Sequence, residues 1–352
     1  MTKTPQNITV IGAGINGLVA ANYLARAGHQ VTLLERSDQV GGACISEAVE
    51  VDGIRQDYPL GATVLGLMQD YVWQETGLAD RLQIRAAGKP GLVFFPGAEQ
   101  PTRTFQDTSR LQQELADQWG ERGDLAAFNA DEDRVVRFLQ AGYRAGRPPS
   151  VEETVTALGA DLTALWITGS ARNLLDHYLT SDRTKIFHAM NVTESGPVSL
   201  SEPYSAFIIP MMSSGSVFGG HYGYVRGGIW QVTRELGQIN QELGVDLVLS
   251  CSVLEVDTRT GLVRYEISSG TRTLHSDHLV MATDPQTAAR LTGDSALLQH
   301  TNKERVLGTA GKLNLMFRNP VQWKQGSEDA ESDSAFRYYF AVDTLADFEA
   351  AT

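Results

Sequence analysis

The fold is decided by residues 8–35, ITVIGAGINGLVAANYLARAGHQVTLLE. An apolar strand-like run comes before a glycine-rich turn, apolar residues then recur at helical spacing as far as Gly28, and a second strand-like run ends at Glu35. This order of strand, helix and strand within about thirty residues is typical of a βαβ unit. The sequence therefore predicts an α/β protein whose first elements form part of a parallel sheet.

The glycine turn has the spacing G-x-G-x-x-G, formed by Gly12, Gly14 and Gly17. In this pattern the first glycine permits a tight turn, the second lets the backbone approach a pyrophosphate, and the third lets the helix pack closely on the strand. The start of the helix presents unpaired N–H groups to a diphosphate, and Glu35 can accept hydrogen bonds from ribose hydroxyls. The pattern predicts a dinucleotide site, and Glu35 disfavours the 2′-phosphate of NADP.

A second pair of glycines, Gly41 and Gly42, follows Glu35 by six residues and would bring another loop close to the same diphosphate. The whole stretch VIGAGINGLVAANYLARAGHQVTLLERSDQVGGACIS, residues 10–46, resembles the N-terminal fingerprint of FAD-dependent oxidoreductases of the phytoene desaturase and flavin amine oxidase superfamily. The resemblance implies FAD as the cofactor and a Rossmann-like domain that binds it.

Two later segments resemble the same superfamily. Residues 221–247, HYGYVRGGIWQVTRELGQINQELGVDL, are similar to the segment that re-enters the FAD domain in phytoene dehydrogenase-related proteins, especially the branch named pyridine nucleotide-disulfide oxidoreductase domain-containing protein 2. Residues 279–291, LVMATDPQTAARL, resemble the turn that ends an FAD-domain strand in that family. The FAD domain is therefore expected to be discontinuous.

The resemblance implies roles for individual residues. The adenosine diphosphate half of FAD would be held by Gly12, Gly14, Ile15, Asn16, Gly17, Glu35 and Arg36. The remaining contacts would come from Gly41, Gly42 and Ala43 near the diphosphate and ribityl chain, Gly61 and Ala62 near the flavin ring, and Val253 against adenine. Ala43 stands where the family often has arginine, so one cation beside the diphosphate is missing.

Lys312 is the one catalytic candidate. The stretch VLGTAGKLNLMFRNPVQW, residues 306–323, resembles the flavin amine oxidase strand whose lysine points at the flavin N5 through a water. A cation there would stabilise the reduced flavin and help its reaction with oxygen. The alternative is a solvated lysine at the start of a strand, KLNLMF.

The predicted organisation is an FAD-binding domain made of residues 1–65 and 222–300, with a helical and β substrate-side domain made of residues 66–221 and 301–352. Two spacings are typical of capping boxes that begin helices, Ser109 with Gln112 and Ser150 with Glu153. A helix is expected over residues 229–243, followed by strands over residues 245–249, 253–256, 262–267 and 279–283.

The composition of this 352-residue chain indicates which classes of partner are improbable. The 29 Lys and Arg residues against 42 Asp and Glu give a net charge of −13, which disfavours nucleic acid. Cys44 and Cys251 are the only cysteines, which predicts no disulfide framework, no metal site and a reducing, cytoplasmic setting. The longest uncharged stretch, residues 203–225, is too interrupted by proline and glycine for a transmembrane segment.

The sequence thus favours an FAD-dependent oxidoreductase that removes a hydride, or two electrons, from a small apolar or amine-like substrate. One alternative is a non-catalytic FAD-binding fragment, because relatives continue beyond Thr352; a second chain or a missing C-terminal segment would then complete the flavin pocket. The other alternative is an NAD-dependent dehydrogenase, which needs only the first glycine pattern and leaves Gly41 and Gly42 unexplained.

Overall fold

The chain forms two compact units, each made of two separate segments. The computed structural model describes residues 4–194, 196, 198–303, 311–324 and 335–351. Unit 1 comprises Met1–Arg85 and Gly223–Arg305, and unit 2 comprises Ala86–Tyr222 and Val306–Thr352. The first division lies after Arg85, where the sequence suggested residue 65. Residues 66–85 belong with unit 1 because Arg26 and Asn22 both donate hydrogen bonds to the carbonyl of Thr76.

Strands occur in both units. Within the described ranges they are β1 (Asn7–Ile11), β2 (Gln30–Leu34), β3 (Ser46–Val51), β4 (Ile54–Pro59), β5 (Ile84–Ala86), β6 (Gly88–Phe94), β7 (Thr102–Thr104), β8 (Gly223–Val225), β9 (Asp246–Val248), β10 (Ser252–Asp257), β11 (Leu262–Ile267), β12 (Gly270–His275), β13 (His278–Met281) and β14 (Ala335–Tyr339).

Helices occupy most of unit 2 and flank the sheet of unit 1. Over the same ranges they are α1 (Ile15–Arg26), α2 (Asp70–Glu75), α3 (Thr108–Trp119), α4 (Leu125–Ala145), α5 (Val151–Leu158), α6 (Ala160–Leu162), α7 (Ala171–Tyr178), α8 (Asp182–Glu194), α9 (Ile208–Met212), α10 (Gln231–Glu242), α11 (Pro285–Thr292), α12 (Ser295–Lys303) and α13 (Leu345–Ala351). Leu78–Asp80 and Ser205–Phe207 form short 3₁₀ turns, and Thr163–Ile167 forms a π-helical turn.

A four-stranded parallel sheet with the order β13-β1-β2-β9 is the centre of unit 1. Four of the five residues of β1 are buried, as expected for a strand that is covered on both faces. The buried amides of Asn22 and Asn240 join α1 to α10: Asn22 Nδ2 donates to Asn240 Oδ1 at 3.0 Å, and Asn240 Nδ2 donates to the Leu18 carbonyl at 2.9 Å. The predicted α/β fold with a Rossmann-like sheet is confirmed.

A second sheet in unit 1 is antiparallel and has the order β10-β11-β12. Its apolar side chains pack in one cluster with Ile11 and Leu34, the last residues of β1 and β2. The strands predicted over residues 253–256 and 262–267 are confirmed as β10 and β11. This sheet therefore buries the end of the parallel sheet at which both strands finish.

Unit 2 has a large core built mainly from its helices, in which Phe128 and Trp166 are fully buried. Its three-stranded sheet has the order β14-β6-β7. The capping box of Ser150 and Glu153 is confirmed at the start of α5. The box predicted at Ser109 is wrong, because α3 begins two residues earlier and the side chain of Asp107 accepts the capping hydrogen bond from the Arg110 N–H at 2.8 Å.

The strand predicted for KLNLMF is also wrong. Residues 311–324 form neither helix nor strand, and Leu313 and Phe317 are 79% and 64% exposed. The alternation of apolar and polar residues suggested a half-buried strand, but within the described part of the chain no strand pairs with this segment. None of the described helices has the length and apolar character needed to cross a lipid bilayer.

A buried carboxylate, that of Glu121, joins the turn between α3 and α4 to the segment that follows α7. Glu121 is 3% exposed, and its Oε1 accepts hydrogen bonds from the Gly123 N–H at 2.6 Å and from the Thr180 N–H at 2.9 Å. Its Oε2 accepts from the Ser181 N–H at 3.1 Å. Burial opposes ionisation, but these hydrogen bonds outweigh it and lower the pKa of Glu121 from 4.5 to about 2.

We expect Glu121→Gln to lower the free energy of unfolding by about 1.5–3 kcal/mol at neutral pH, because an amide replaces a charged acceptor of several donors. Because folding depresses this pKa, the carboxylate stabilises the fold above pH 4.5 and loses this effect as the pH falls towards about 2. Urea unfolding of both proteins across this range measures the difference. Glu50→Gln, at an exposed carboxylate of β3, is the control; a pH-independent difference would contradict the expectation.

Candidate functional site

The candidate site lies where the parallel sheet of unit 1 ends. The Gly12 N–H donates to the Leu34 carbonyl at 2.8 Å, and the Ala282 N–H donates to the Ile11 carbonyl at 2.9 Å, so the segments that leave β1, β2 and β13 stay side by side. In the sheet, β1 lies between β2 on one side and β13 on the other, so the strand order reverses direction at β1. In open α/β sheets, ligands bind at the carboxyl ends of the strands beside such a reversal of strand order.

Two glycines of the first turn are required by packing. Gly12 has φ +103°, and a Cβ built on it would lie 2.9 Å from the Ala282 carbonyl oxygen. A Cβ on Gly17 would lie 1.9 Å from the Gly12 carbonyl oxygen, closer than any side chain can come. Because they lack side chains, these glycines allow the turn, the start of α1 and the end of β13 to pack closely together.

Gly14 differs from its two neighbours in the motif because its surroundings are open. A Cβ on Gly14 would meet only the Cα of Gly42, at 3.9 Å. Gly14 is the N-cap of α1, no side chain caps this helix, and its first turn contains no acidic residue. The first N–H groups of α1, which include those of Ile15, Asn16 and Gly17, thus begin a helix with a partial positive charge that no carboxylate of the turn neutralises.

The second glycine loop touches the first. The Gly41 N–H donates to the Ala13 carbonyl at 2.8 Å, and Gly14 and Gly41 form an isolated parallel bridge. A Cβ on Gly42 would lie 3.1 Å from the Cα of Gly14, so these two backbones pack with no side chain between them. The structure thereby brings the two sequence-predicted glycine motifs together.

A third loop packs on the second. A Cβ on Gly61 would lie 2.3 Å from the Ala43 carbonyl oxygen, and the Ala62 N–H donates to the same oxygen at 3.0 Å. Three predicted residues, Ala43, Gly61 and Ala62, therefore form one contact. Ala43 and Gly61 are exposed, whereas Ala62 is half-buried.

Glu35 has a structural role that the sequence did not indicate. It is 8% exposed, its Oε2 accepts from the Ala13 N–H at 2.7 Å, and its Oε1 accepts from the Ser37 N–H at 2.9 Å. An ionised carboxylate has about four acceptor positions, so each oxygen keeps a further lone pair for a ribose hydroxyl. Arg36, which follows it, is exposed.

The remaining predicted residues lie in two different places. Val253 belongs to β10, which begins beside the end of β2, because the Cys251 N–H donates to the Glu35 carbonyl at 2.8 Å. Val253 itself is half-buried against the cluster that contains Leu34. Lys312 belongs to unit 2 and is exposed in the segment without helix or strand, where partial burial lowers its pKa.

Sequence reasoning missed two residues that shape the loops. Ala282 packs against Gly12 and Gly17 at the end of β13. Thr233 donates from Oγ1 to the Cys44 carbonyl at 2.7 Å, and the same Oγ1 would lie 2.9 Å from a Cβ on Gly41. Both residues lie in segments that resemble the FAD domain, Thr233 in residues 221–247 and Ala282 in residues 279–291, but neither resemblance indicates a role for the individual residue.

This set of residues fits a bound dinucleotide. The open surface at Gly14 gives a diphosphate access to the backbone, the uncapped start of α1 supplies N–H donors, and the lone pairs of Glu35 suit ribose hydroxyls. Fold and site together define a dinucleotide-binding α/β protein.

Comparison with known protein families identifies the particular class. The family of flavin-containing amine oxidoreductases matches residues 15–349, and the chain belongs to this family. The predictions of a flavin cofactor, FAD, and of the phytoene desaturase and flavin amine oxidase superfamily are thereby confirmed.

Individual relatives agree with this assignment. The chain is 30% identical over 261 residues to 4,4'-diapophytoene desaturase (4,4'-diaponeurosporene-forming) of Staphylococcus aureus strain COL, a match that covers 71% of this chain and 49% of the relative. It therefore spans about half the length of the curated relatives that it matches.

Solved structures share the fold. Cyclohexylamine oxidase from Brevibacterium oxydans IH-35A has a TM-score of 0.51 at 20% identity, over 85% of this chain and 63% of that one. Putrescine oxidase, in its wild-type form bound to putrescine, has a TM-score of 0.51 at 18% identity, over 82% of this chain and 60% of that one.

We expect Gly17→Ala to lower the free energy of unfolding by about 1–3 kcal/mol, because the new methyl group overlaps the Gly12 carbonyl and must displace it. Gly14→Ala is the matched control, with a smaller expected loss of about 0.5–1 kcal/mol, since its methyl group enters open space and only the preference for glycine over alanine at the N-cap is lost. Urea unfolding of the three proteins provides the measurement. Equal stability of the two variants would show that Gly17 is not needed for packing.

Proposed function

We propose that this chain binds FAD through unit 1 and serves in an oxidoreductase that removes two electrons, as a hydride, from an apolar or amine-like small molecule. The observation that carries the proposal is the meeting of Gly14 and Gly42 at the open start of α1, in a chain of the flavin-containing family. An NAD-dependent dehydrogenase is disfavoured, because this family is flavin-containing and because Gly41 and Gly42 form a second loop at the site.

Each part of the site would hold a different part of the cofactor. The N–H groups at the start of α1 would donate to the diphosphate, with the side-chain-free faces of Gly14 and Gly42 admitting it. Glu35 would keep its hydrogen bonds to Ala13 and Ser37 while its remaining lone pairs accept from the ribose. When bound, the flavin supplies the two-electron acceptor.

The substrate class rests on two kinds of relative. One is named a diapophytoene desaturase, and others are named cyclohexylamine and putrescine oxidases. The flavin itself would carry the two-electron chemistry, which agrees with the absence of an obvious acid–base dyad from the sequence. Completion of the flavin pocket by a second chain or a further C-terminal segment, and the cytoplasmic setting, stay predictions from the sequence.

Gly14→Val tests the cofactor site. We expect the variant to fold but to lose at least about nine-tenths of its bound FAD, because the added side chain blocks approach of the diphosphate to the backbone. The measurement is flavin released per chain after denaturation, with thermal unfolding as the check on folding. Gly142→Val, which adds the same side chain in open space of unit 2, should keep its flavin.

The same preparations test the activity. We expect apolar and amine compounds to include one that reduces the bound flavin of the wild-type protein without oxygen, seen as loss of the flavin absorbance. Gly14→Val should show no such change. Stoichiometric FAD in folded Gly14→Val would overturn the site, whereas bound FAD that no compound of either class reduces would favour the non-catalytic alternative.

Lys312→Met tests the catalytic candidate. If Lys312 assists the reaction with oxygen, we expect reoxidation to slow by about tenfold to a hundredfold while FAD content stays unchanged, because a cation that favours the developing negative charge is lost. Stopped-flow reoxidation of the reduced protein measures this rate. Lys324→Met removes another exposed lysine of the same segment and should have no effect. An unchanged rate in Lys312→Met would make Lys312 a solvated lysine only.

A further inference from the structure

A cavity of about 690 Å³ that opens to solvent lies within unit 2, between α4, α5, the π-helical turn and the turn Ser205–Phe207. Its walls include Phe138 and Tyr143 of α4, Ile167 of the π-helical turn, and Phe207. This volume is within the range of pockets that enclose small molecules, about 300–1,000 Å³. All the described residues that line it belong to unit 2, so the glycine loops of unit 1 are not among them.

The π-helical turn is the first of three unusual backbone features in the wall. The Thr168 N–H donates to the Thr163 carbonyl at 3.1 Å, a bond that spans five residues instead of four. Such turns are rare and are found frequently at functional sites. Thr163, Ile167 and Thr168, which make up or adjoin this turn, all line the cavity.

The second feature is a glycine in the last turn of a long helix. Gly142 lies near the end of α4, where glycine costs up to about 1 kcal/mol relative to alanine. Outside the local backbone of α4, no atom of the described residues lies within 4 Å of a Cβ built at this position, so packing against them does not require glycine. Since Gly142 lines the cavity, the missing side chain leaves the cavity wider.

The third feature is a tyrosine in the left-handed conformation. Tyr204 has φ +68° and ψ −3°, a region that costs a residue with a Cβ about 1–2 kcal/mol. It is 65% exposed and lines the cavity, so the unusual conformation is not explained by burial of the ring. Local features that are unfavourable by themselves concentrate at functional sites, and here three of them meet at one cavity.

The polar groups of the wall are largely used within the protein. Thr154 and Thr163 donate from Oγ1 to the carbonyls of Ser150 and Gly159, at 2.8 and 2.7 Å. The guanidinium of Arg147 donates to both carboxylate oxygens of Glu153, at 2.9 and 2.6 Å, so its charge is balanced. The cavity therefore offers mostly carbon to a ligand, and none of the lining residues that the structure describes is an aspartate or a glutamate.

We propose that this cavity binds an uncharged apolar molecule, such as an alkyl chain without a charged headgroup. A charged group would lose its hydration on entry without gaining an opposite charge, whereas apolar surface gains from leaving water. The proposal goes beyond the proposed function and does not depend on bound flavin, because every residue that carries it lies in unit 2.

The experiment titrates the full chain with Nile red, an uncharged apolar dye that fluoresces when it leaves water. We expect saturable binding to the wild-type protein and binding at least about tenfold weaker in Gly142→Leu, whose side chain fills the open space in the wall. Leucine is a far better helix former than glycine, so this loss should come with unchanged or higher thermal stability. Loss of binding without loss of stability shows that the cavity has been filled and that the protein has not unfolded.

Two controls accompany Gly142→Leu. Gly142→Ala gives nearly the same gain in helix propensity but adds only a methyl group, and it should bind within about twofold of wild type. Leu313→Gln removes an exposed leucine outside the cavity and should also bind as wild type does. Unchanged binding in Gly142→Leu, or loss of binding in Leu313→Gln, would overturn the assignment of the dye to this cavity.

Competition tests the chemical class. Dodecanol should displace the dye at a concentration at least about tenfold lower than dodecylammonium or dodecanoate, because the charged headgroups lose hydration without an unpaired partner. Equal or better displacement by either charged compound would overturn the proposal of an uncharged ligand. The readout uses no catalytic turnover, so a failed Gly14→Val experiment and a failed cavity experiment are distinguishable.

Discussion

The close approach of two backbones, at Gly14 and Gly42, is the constraint on which the candidate site depends. A Cβ on Gly42 would come within 3.1 Å of the Gly14 Cα, so any larger side chain there would push the second loop away from α1. The hydrogen bond from the Gly41 N–H to the Ala13 carbonyl then fixes the register of the two loops. In the proposed site, a diphosphate would reach N–H groups of α1 because both loops present bare backbone on this side.

The buried carboxylate of Glu35 also helps to hold the first glycine turn in place. A buried carboxylate is unfavourable unless hydrogen bonds replace its water, and the N–H groups of Ala13 and Ser37 do so. These bonds join the first glycine turn to the end of β2, so the residue expected to recognise a ribose also shapes the turn that precedes α1. Substitution of Glu35 would therefore alter both affinity and loop geometry, and a loss of cofactor alone would not separate them.

The sequence predicted those parts of the protein that depend on local pattern. The βαβ unit, the two glycine motifs and the capping box at Ser150 follow from spacing within a few residues, and each is present. The failures depended on distant neighbours or competing local bonds. The KLNLMF alternation is typical of a strand, but a strand needs a hydrogen-bonded partner that a local pattern cannot supply. At α3, Asp107 and Ser109 could each accept a capping bond, and Asp107, in the extended conformation of an N-cap, is the residue that does so.

The candidate dinucleotide site in unit 1 depends on local sequence pattern, whereas the cavity in unit 2 depends on residues that are distant in the sequence. A diphosphate is held by backbone N–H groups, and the glycines that expose them must stand at fixed spacing, which makes such a site visible in one short stretch of sequence. The cavity is formed by side chains and backbone that are far apart in the sequence, and Gly142 looks like an ordinary weak point of α4 until the space beside it is seen. Gly142 lowers the helix propensity at the end of α4, and outside the local backbone of α4 no described atom lies within 4 Å of the missing Cβ to compensate. A ligand in that space would supply the missing contacts, which is why a helix glycine beside a cavity is stronger evidence for binding than the cavity volume alone.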